Sequence, residues 1–321
     1  MIKKGLFIFT LLISVVTLAA CGDGGSETIQ IGEGDWESNE FHDAVAVTII
    51  EEGYGFETEV SQVDTPVLMQ SLTNGDIHFS MEIWTDNTPA YADGIEDGTL
   101  EDLSVNFDDN YQGIYIPKYL QEEHPDLTSI EDLPDYKDIF DEYEEDSSKA
   151  VVYGGPSGWE VTSFLEEKFE NDEDYSYLVD DFHFYPLEST STLNTTLVDA
   201  YDAEEPWVGY NWEPTWILGE YDMVLLDDPH EYDAESGRGN PPAQDVKIVS
   251  NIDFSDEFPD VADFLSNYET SSDITSEALA YMREEEASPE DTAHWWLLEN
   301  QDLWTEWVPD DVADDVLSAI E

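Results

Sequence analysis

Apolar and polar positions along this chain switch repeatedly between a period of two and a period near 3.6. The stretch Thr28-Ile29-Gln30-Ile31-Gly32 alternates like a strand entering a turn. Ser38 or Asn39 is placed to cap a helix that runs through Val45, Ile49 and Ile50 and stops at Gly53. Residues 56–63 read as a second strand, 66–72 as a short helix ended by Asn74-Gly75, and 77–84 as a strong third strand. Pro89 then opens another helix at its first position. A second set follows, with strands at 113–116, 149–153, 182–185 and 206–212 and helices at 160–169 and 193–201. Residues 135–148 are acid-rich and read as a surface loop, and 227–245, with three Pro and two Gly, as a long loop. The C-terminal part turns helical, and Ser288-Pro289-Glu290-Asp291 is a helix start with the Ser as cap. Strand–helix alternation with short connections predicts an α/β fold.

The two sets echo each other. Residues 75–84 form an apolar strand ending in Trp84, followed by Asp86 and Pro89; residues 205–212 form another ending in Trp212, followed by Pro214. Ligands of open α/β sheets bind beyond the carboxyl ends of strands. Two lobes that each end a strand in Trp predict one cleft lined from both sides.

Composition and charge change this picture by exclusion. Of 321 residues, 78 are Asp or Glu and 9 are Lys or Arg, a formal net charge of −69. Residues 1–21 hold no acid and two of the bases, Lys3 and Lys4, so the chain beyond them carries −71. Such a chain does not bind nucleic acid, because neutralising phosphate needs Lys and Arg, and it does not dock on anionic headgroups. A disordered chain is excluded as well, since 13% aromatic and 40% hydrophobic residues suffice for a core. The length fits one large or two medium domains. The charge reads first as adaptation to high salt.

The single cysteine, Cys21, rules out an internal disulfide. Lys3-Lys4 form a basic start, residues 5–17 are apolar but short for a membrane span, and Leu18-Ala19-Ala20-Cys21 resembles a bacterial lipobox. Residues 1–20 are therefore expected to be a lipoprotein signal peptide. Cys21 would be the lipidated residue, and 21–27 would be the anchor and a Gly-rich tether. The expected location is the extracytoplasmic face of the cell membrane, in a periplasm or on the cell exterior.

Candidate chemistry gathers at two places. Trp36, Trp84, Trp159 and Trp212 each sit where a strand runs into a turn, beside polar, Gly or Pro residues. Several indole faces around one point make a cage for quaternary ammonium, a cation with no N–H to hydrogen-bond. The second is Tyr153-Gly154-Gly155-Pro156-Ser157-Gly158-Trp159, leading into a helix from Glu160. A Gly-rich turn exposes backbone N–H groups at the positive end of a helix, and without Lys or Arg it suits a small carboxylate better than a phosphate. Together the two places suit a zwitterion with a trimethylammonium end and a carboxylate end.

Over residues 28–318 the sequence resembles the substrate-binding proteins of glycine betaine/proline betaine ABC transporters. The carriers are Asp64-Thr65-Pro66 with the run from Ser71 to Ile77, Glu82-Ile83-Trp84, Tyr111-Gln112-Gly113 leading to Pro117, the turn from Tyr153 to Trp159, and Glu205-Pro206-Trp207 through Trp216. The resemblance implies a two-lobed, type II periplasmic-binding-protein fold, with lobe 1 from 28–111 and 226–321 and lobe 2 from 112–225. It implies cage roles for Trp84, Trp159 and Trp212. Trp36 matches a cage Trp of the choline-binding branch, and Tyr111 lies near that branch's cage Tyr. Backbone amides at Ser157, Gly158, Trp159 and Glu160 would hold the ligand carboxylate. The choline branch carries an acid two residues after its first cage Trp; here that position is Ser38, which favours a betaine. Four Trp and one Tyr exceed a three-ring box, leaving one ring as a wall. The implied partners are a quaternary ammonium compound and an ABC permease, with ATP used by another subunit, no catalysis and no cofactor.

Other readings weigh less. Carboxylate pairs for acid–base chemistry occur by chance at this acid density. The six His lack metal-binding spacing and no calcium-loop pattern occurs, so no metal site is expected. Trp295, Trp296, Trp304 and Trp307 recur at helical spacing and read as core. Within the same family, a choline or carnitine receptor is the alternative. From a different class, a surface carbohydrate-binding protein would use exposed Trp for stacking.

Overall fold

A computed structural model describes residues 28–170, 173–233 and 236–321. The expected signal peptide, the Cys21 lipidation site and the tether lie outside the described residues.

The chain first builds β1 (Ile29–Glu33), α1 (Glu37–Thr48), β2 (Thr58–Gln62), α2 (Thr65–Asn74), β3 (Phe79–Trp84), α3 (Pro89–Asp97) and β4 (Leu100–Phe107). It then builds β5 (Tyr111–Pro117), α4 (Lys118–Glu123), β6 (Glu142–Tyr143), β7 (Asp146–Pro156), α5 (Glu160–Glu170), α6 (Ser176–Val179), β8 (Phe182–Leu187), α7 (Thr190–Asp202), β9 (Gly209–Glu213), α8 (Trp216–Glu220) and β10 (Met223–Leu225). It ends with β11 (Val246–Asn251), α9 (Phe254–Glu257), α10 (Pro259–Asn267), α11 (Ser272–Glu284), α12 (Pro289–Glu299), α13 (Gln301–Trp304) and α14 (Asp310–Ile320).

These strands make two sheets. One has the order β2-β1-β3-β11-β4; the other runs β10-β5-β9-β7-β6, with β8 on β7. In the first, β1 pairs in parallel with β2 and β3, while β11 returns antiparallel between β3 and β4. The fold is the expected α/β, two-lobed type II arrangement; one buried core lies on the first sheet, and the core on the second sheet extends to Trp36, Trp84, Phe107 and Val246 of the first lobe. The chain crosses between the sheets at 108–110 and again at 226–245. The two crossings are tied by a reciprocal pair: Asn110 Nδ2 donates to the Gln244 carbonyl at 2.7 Å, and the Gln244 N–H donates to Asn110 Oδ1 at 3.2 Å.

Several local expectations need correction. Strand β4 escapes a hydrophobic reading because Glu101, Asp102 and Ser104 break its apolar run; pairing with β11 decides its conformation. The acid-rich stretch 135–148 is not one loop. It holds part of a 3₁₀ segment over Ile130–Ile139, opened by a Ser129–Asp132 capping box, and then the β6–β7 hairpin. Helix α1 does not stop at Gly53. It widens into a π-helical turn over Ile49–Tyr54 and ends at Gly55, whose φ of 73° is the left-handed conformation that glycine adopts freely. Gly53 serves the approach of α14: a Cβ there would fall 2.6 Å from Val312 and 2.9 Å from Val316.

The C-terminal helices wrap the first sheet. Ser288 accepts from the Asp291 N–H at 3.1 Å and starts α12 as expected. Trp296, Trp304 and Trp307 are buried in the first core, while Trp295 lies at its border, stacked on Tyr281 at 4.0 Å. The Trp304 indole N–H donates to the Leu297 carbonyl at 2.7 Å, so this ring is both packed and satisfied. Trp304→Ala is expected to destabilise the protein by about 3–5 kcal/mol, the cost of a large cavity plus an unpaired carbonyl. Urea unfolding at fixed salt measures it.

Candidate ligand-binding site

The ends of β3, β9 and the turn before α5 converge on one cavity. It is lined from the first lobe by Trp36, Thr65, Leu68, Glu82, Ile83, Trp84, Asn87 and Thr88, and from the second by Trp159, Val161, Tyr210 and Trp212. All four strand-end tryptophans are thus brought together. Trp36 and Trp159 meet edge to face at 5.7 Å, and Trp159 meets Trp212 edge to face at 5.1 Å. Trp84 is braced from behind by Phe107 at 5.9 Å.

Each ring is set by its element. Trp36 occupies the N-cap position of α1 with extended backbone, φ −135° and ψ 146°, which turns its side chain off the helix. Its ring folds over Gly34, where a Cβ would come within 2.0 Å of it. Period two on β3 puts Glu82 and Trp84 on one face, and on β9 does the same for Tyr210 and Trp212. Trp159 ends the Gly-rich turn. Its N–H donates to the Pro156 carbonyl at 3.1 Å, so that amide is committed within the turn.

The remaining expected site residues fall elsewhere. Tyr111 begins β5, is 55% exposed and does not line the cavity. Tyr210 supplies the fifth ring instead, stacked on Trp212 at 5.7 Å with its hydroxyl donating to Gln112 Oε1 at 3.0 Å. Ser157 and Gly158 line an adjoining cavity with Asp35, Thr65 and Pro66. Glu160 is the first residue of α5, and among its neighbours Val161 reaches the tryptophan cavity. None of the ten tryptophans is among the exposed large side chains, which removes the physical basis of the carbohydrate-stacking reading.

The residue that the sequence reading missed is Glu82. It is 1% exposed, and its Oε2 accepts from the Trp36 indole N–H at 2.7 Å, the Ser38 hydroxyl at 3.2 Å and the Trp84 indole N–H at 3.3 Å. Burial pushes its carboxyl up to about 7, and the three donors hold it from going higher. Its signal was the two-residue spacing before Trp84. Ser38 and Asn39 do not cap α1: Ser38 serves Glu82, and Asn39 accepts from the Gly34 N–H at 2.7 Å while donating to Asp43 at 3.0 Å. A carboxylate therefore reaches the Ser38 region from β3, and the sequence argument against a choline-type ligand loses its footing.

No Lys or Arg lines the cavity. The seven in the described residues pair with acids elsewhere, the tightest buried pair being Lys168 with Asp228 at 2.7 Å. Among the described residues no His/Cys/Asp/Glu group is arranged to hold a metal ion, and no helix is long and apolar enough to cross a membrane.

Residues 27–299 match the family of substrate-binding domains of ABC-type glycine betaine transport systems. A glycine betaine/carnitine transport binding protein of Listeria monocytogenes is 26% identical over 135 residues, which span 42% of this chain and 42% of that protein. Among solved structures, an ABC-transporter choline-binding protein in complex with choline is 20% identical with a TM-score of 0.74, covering 92% of this chain and 98% of that one. The glycine betaine/L-proline-binding protein of Borrelia burgdorferi is 19% identical with a TM-score of 0.71, over 90% and 100% of the two chains. A lactococcal protein closed on glycine betaine is 18% identical with a TM-score of 0.70, over 88% and 99%. This chain belongs to the substrate-binding domain family of ABC-type glycine betaine transport systems, and is a transport component rather than an enzyme.

Proposed function

We propose that this chain captures glycine betaine or a related quaternary ammonium osmolyte outside the cytoplasm and delivers it to an ABC permease, anchored to the membrane through Cys21. The observation that carries the reading is the convergence of Trp36, Trp84, Trp159, Trp212 and Tyr210, from both lobes, on a cavity without Lys or Arg. A trimethylammonium group has no N–H, so dispersion and ring quadrupoles must hold it, at about 2 kcal/mol for each desolvated face. Three or four faces support micromolar binding after ordering costs. The amides of Ser157, Gly158 and Glu160 at the start of α5 would take a betaine carboxylate. The lobes, 28–111 with 226–321 and 112–225, would close on the ligand and present the closed form to the permease. A hydroxylated cation such as choline is the second reading, favoured by the Glu82 carboxylate beside Ser38.

Intrinsic fluorescence at working salt tests this. Glycine betaine, choline and carnitine are expected to shift tryptophan emission and a sugar panel to leave it unchanged. A folded protein that responds to none of the quaternary ammonium compounds removes the reading. Trp212→Ala should weaken binding by roughly tenfold or more through loss of one cation–π face. Gly34→Ala should weaken it severalfold without touching the ligand, by displacing the Trp36 ring; calorimetric titration compares the two.

Salt separates this mechanism from steering by surface charge. The Debye length is about 3 Å at 1 M salt, so exposed carboxylates cannot draw a ligand from a distance there. Affinity measured at 0.1 M and 2 M salt is expected to change by less than about threefold; a steep fall would assign selection to the surface acids.

A further inference from the structure

Glu82 is a buried carboxylate that the cage reading does not require. Aromatic faces alone would hold a trimethylammonium group, and burying an acid costs free energy unless it finds a partner. One oxygen, Oε2, is saturated by three donors, two of them the indole N–H groups of Trp36 and Trp84. The other, Oε1, has no hydrogen-bond partner, although the residue lines the cavity. Donation to a carboxylate fixes both rings in their planes and enriches their faces in electron density, which strengthens their pull on a cation.

No protein cation compensates this carboxylate. The nearest candidate, His42 of α1, places Nε2 3.8 Å from Oε1, but burial pushes its ring down to about 3, so it stands neutral. Its Nδ1 lies 2.8 Å from the Tyr268 hydroxyl and its Nε2 3.2 Å from Thr275 Oγ1, both neutral partners. Also from α1, Asp43 faces Glu82, and burial together with the charges of Glu33 and Glu82 raises its carboxyl well above the usual range. Behind it on β1, Glu33 is raised to about 7 by burial. Every titratable group around Glu82 is thus neutral or acidic.

We propose that Glu82 is the anionic pole of this site, a specificity-determining residue that locks Trp36 and Trp84 and takes the ligand's fixed positive charge as its missing counter-charge. The inference rests on the quaternary ammonium reading and adds to it that the site reads charge as well as shape. The amides at the start of α5, which would take a betaine carboxylate, belong to the other lobe, so the two proposed poles stand on different lobes. A permanent cation gains from Glu82 whether or not it also carries a carboxylate.

The sign of the pH dependence follows. A free-site carboxyl titrating near 7 binds a cation only when ionised, and the bound cation pulls that titration downward. Affinity therefore rises with pH through neutrality, by about tenfold between pH 6 and 8, and each binding event at pH 7 releases roughly half a proton.

The test compares choline with its uncharged carbon isostere 3,3-dimethylbutan-1-ol on the purified protein and on Glu82→Gln, which keeps the side-chain size and one acceptor oxygen. Circular dichroism confirms that the variant folds. The wild type should favour choline over the isostere, and Glu82→Gln should narrow that ratio at least tenfold and flatten the pH profile. Glu82→Asp should restore part of both. Proton release, measured on the wild type by calorimetry in buffers of different ionisation enthalpy, needs no variant. If choline binds with no pH dependence, no proton release and a ratio unchanged by Glu82→Gln, the inference is overturned while the quaternary ammonium reading stands. If the wild type binds neither choline nor glycine betaine, both fall.

Discussion

Trp36 and Trp159 touch edge to face across the cleft at 5.7 Å, and the site depends on that contact. One ring stands at the start of α1 on the first sheet and the other at the start of α5 on the second, so neither lobe holds the arrangement alone. Thr190 also donates to the Asp35 carbonyl, and the Trp216 indole N–H to Glu37 Oε1 at 3.1 Å, both between the lobes. The first sheet has a buried core of its own, while the core of the second sheet continues across the cleft to Trp36, Trp84, Phe107 and Val246.

Charge has two separate roles in this molecule. The described bases are all consumed by acids, which leaves an outer surface of carboxylates beyond pairing. In concentrated salt those groups hold water and keep the protein soluble, and screening makes them silent toward a ligand. Glu82 is different because it is buried in the wall of the cavity, 1% exposed. One carboxylate of the 78 acids is thereby freed from the background and joined to neutral rings. Sodium in brine is held by its hydration shell and gains little from indole faces, whereas a weakly hydrated trimethylammonium group loses little on entering them.

The alternation of strands and helices was legible because it rests on local periodicity and on Pro and Gly punctuation: α2, α3 and α12 begin or end where Pro89, Gly75 and Ser288 say they should. That Trp36, Trp84, Trp159 and Trp212 would meet at one cavity was legible from their strand-end positions. Strand β4 was not, because Glu101 and Asp102 interrupt its apolar run and its conformation is imposed by pairing with β11, far along the chain. Ser38 looked like a cap because capping residues are read from composition, whereas its partner, Glu82, lies 44 residues away. Tyr111 was expected at the site because the resemblance places it near a cage Tyr of the choline-binding branch. Its strand has the opposite face toward the cleft: register pairs Gln112 with Trp212 and Tyr111 with Glu213. A one-residue offset on a strand moves a side chain to the other side of the sheet.

Holding Glu82 ready has a cost that explains the rest of its surroundings. Raising a carboxyl from 4.5 to about 7 in the folded state opposes folding by on the order of 3 kcal/mol once the pH exceeds 7. The sign is unambiguous: the folded protein keeps a proton that the unfolded chain has already lost, so stability contributed by the neutral form falls as pH rises from 4.5 through 7. Three donors on Oε2 limit the penalty, and the neutral His42 and raised Asp43 avoid adding a second buried charge. A lysine beside Oε1 would remove the penalty altogether, but it would also fill the site with a cation of the protein's own. In the proposed reading, leaving that position to the ligand converts a cost of the empty fold into a source of binding energy for a molecule that carries a positive charge at the pH of binding.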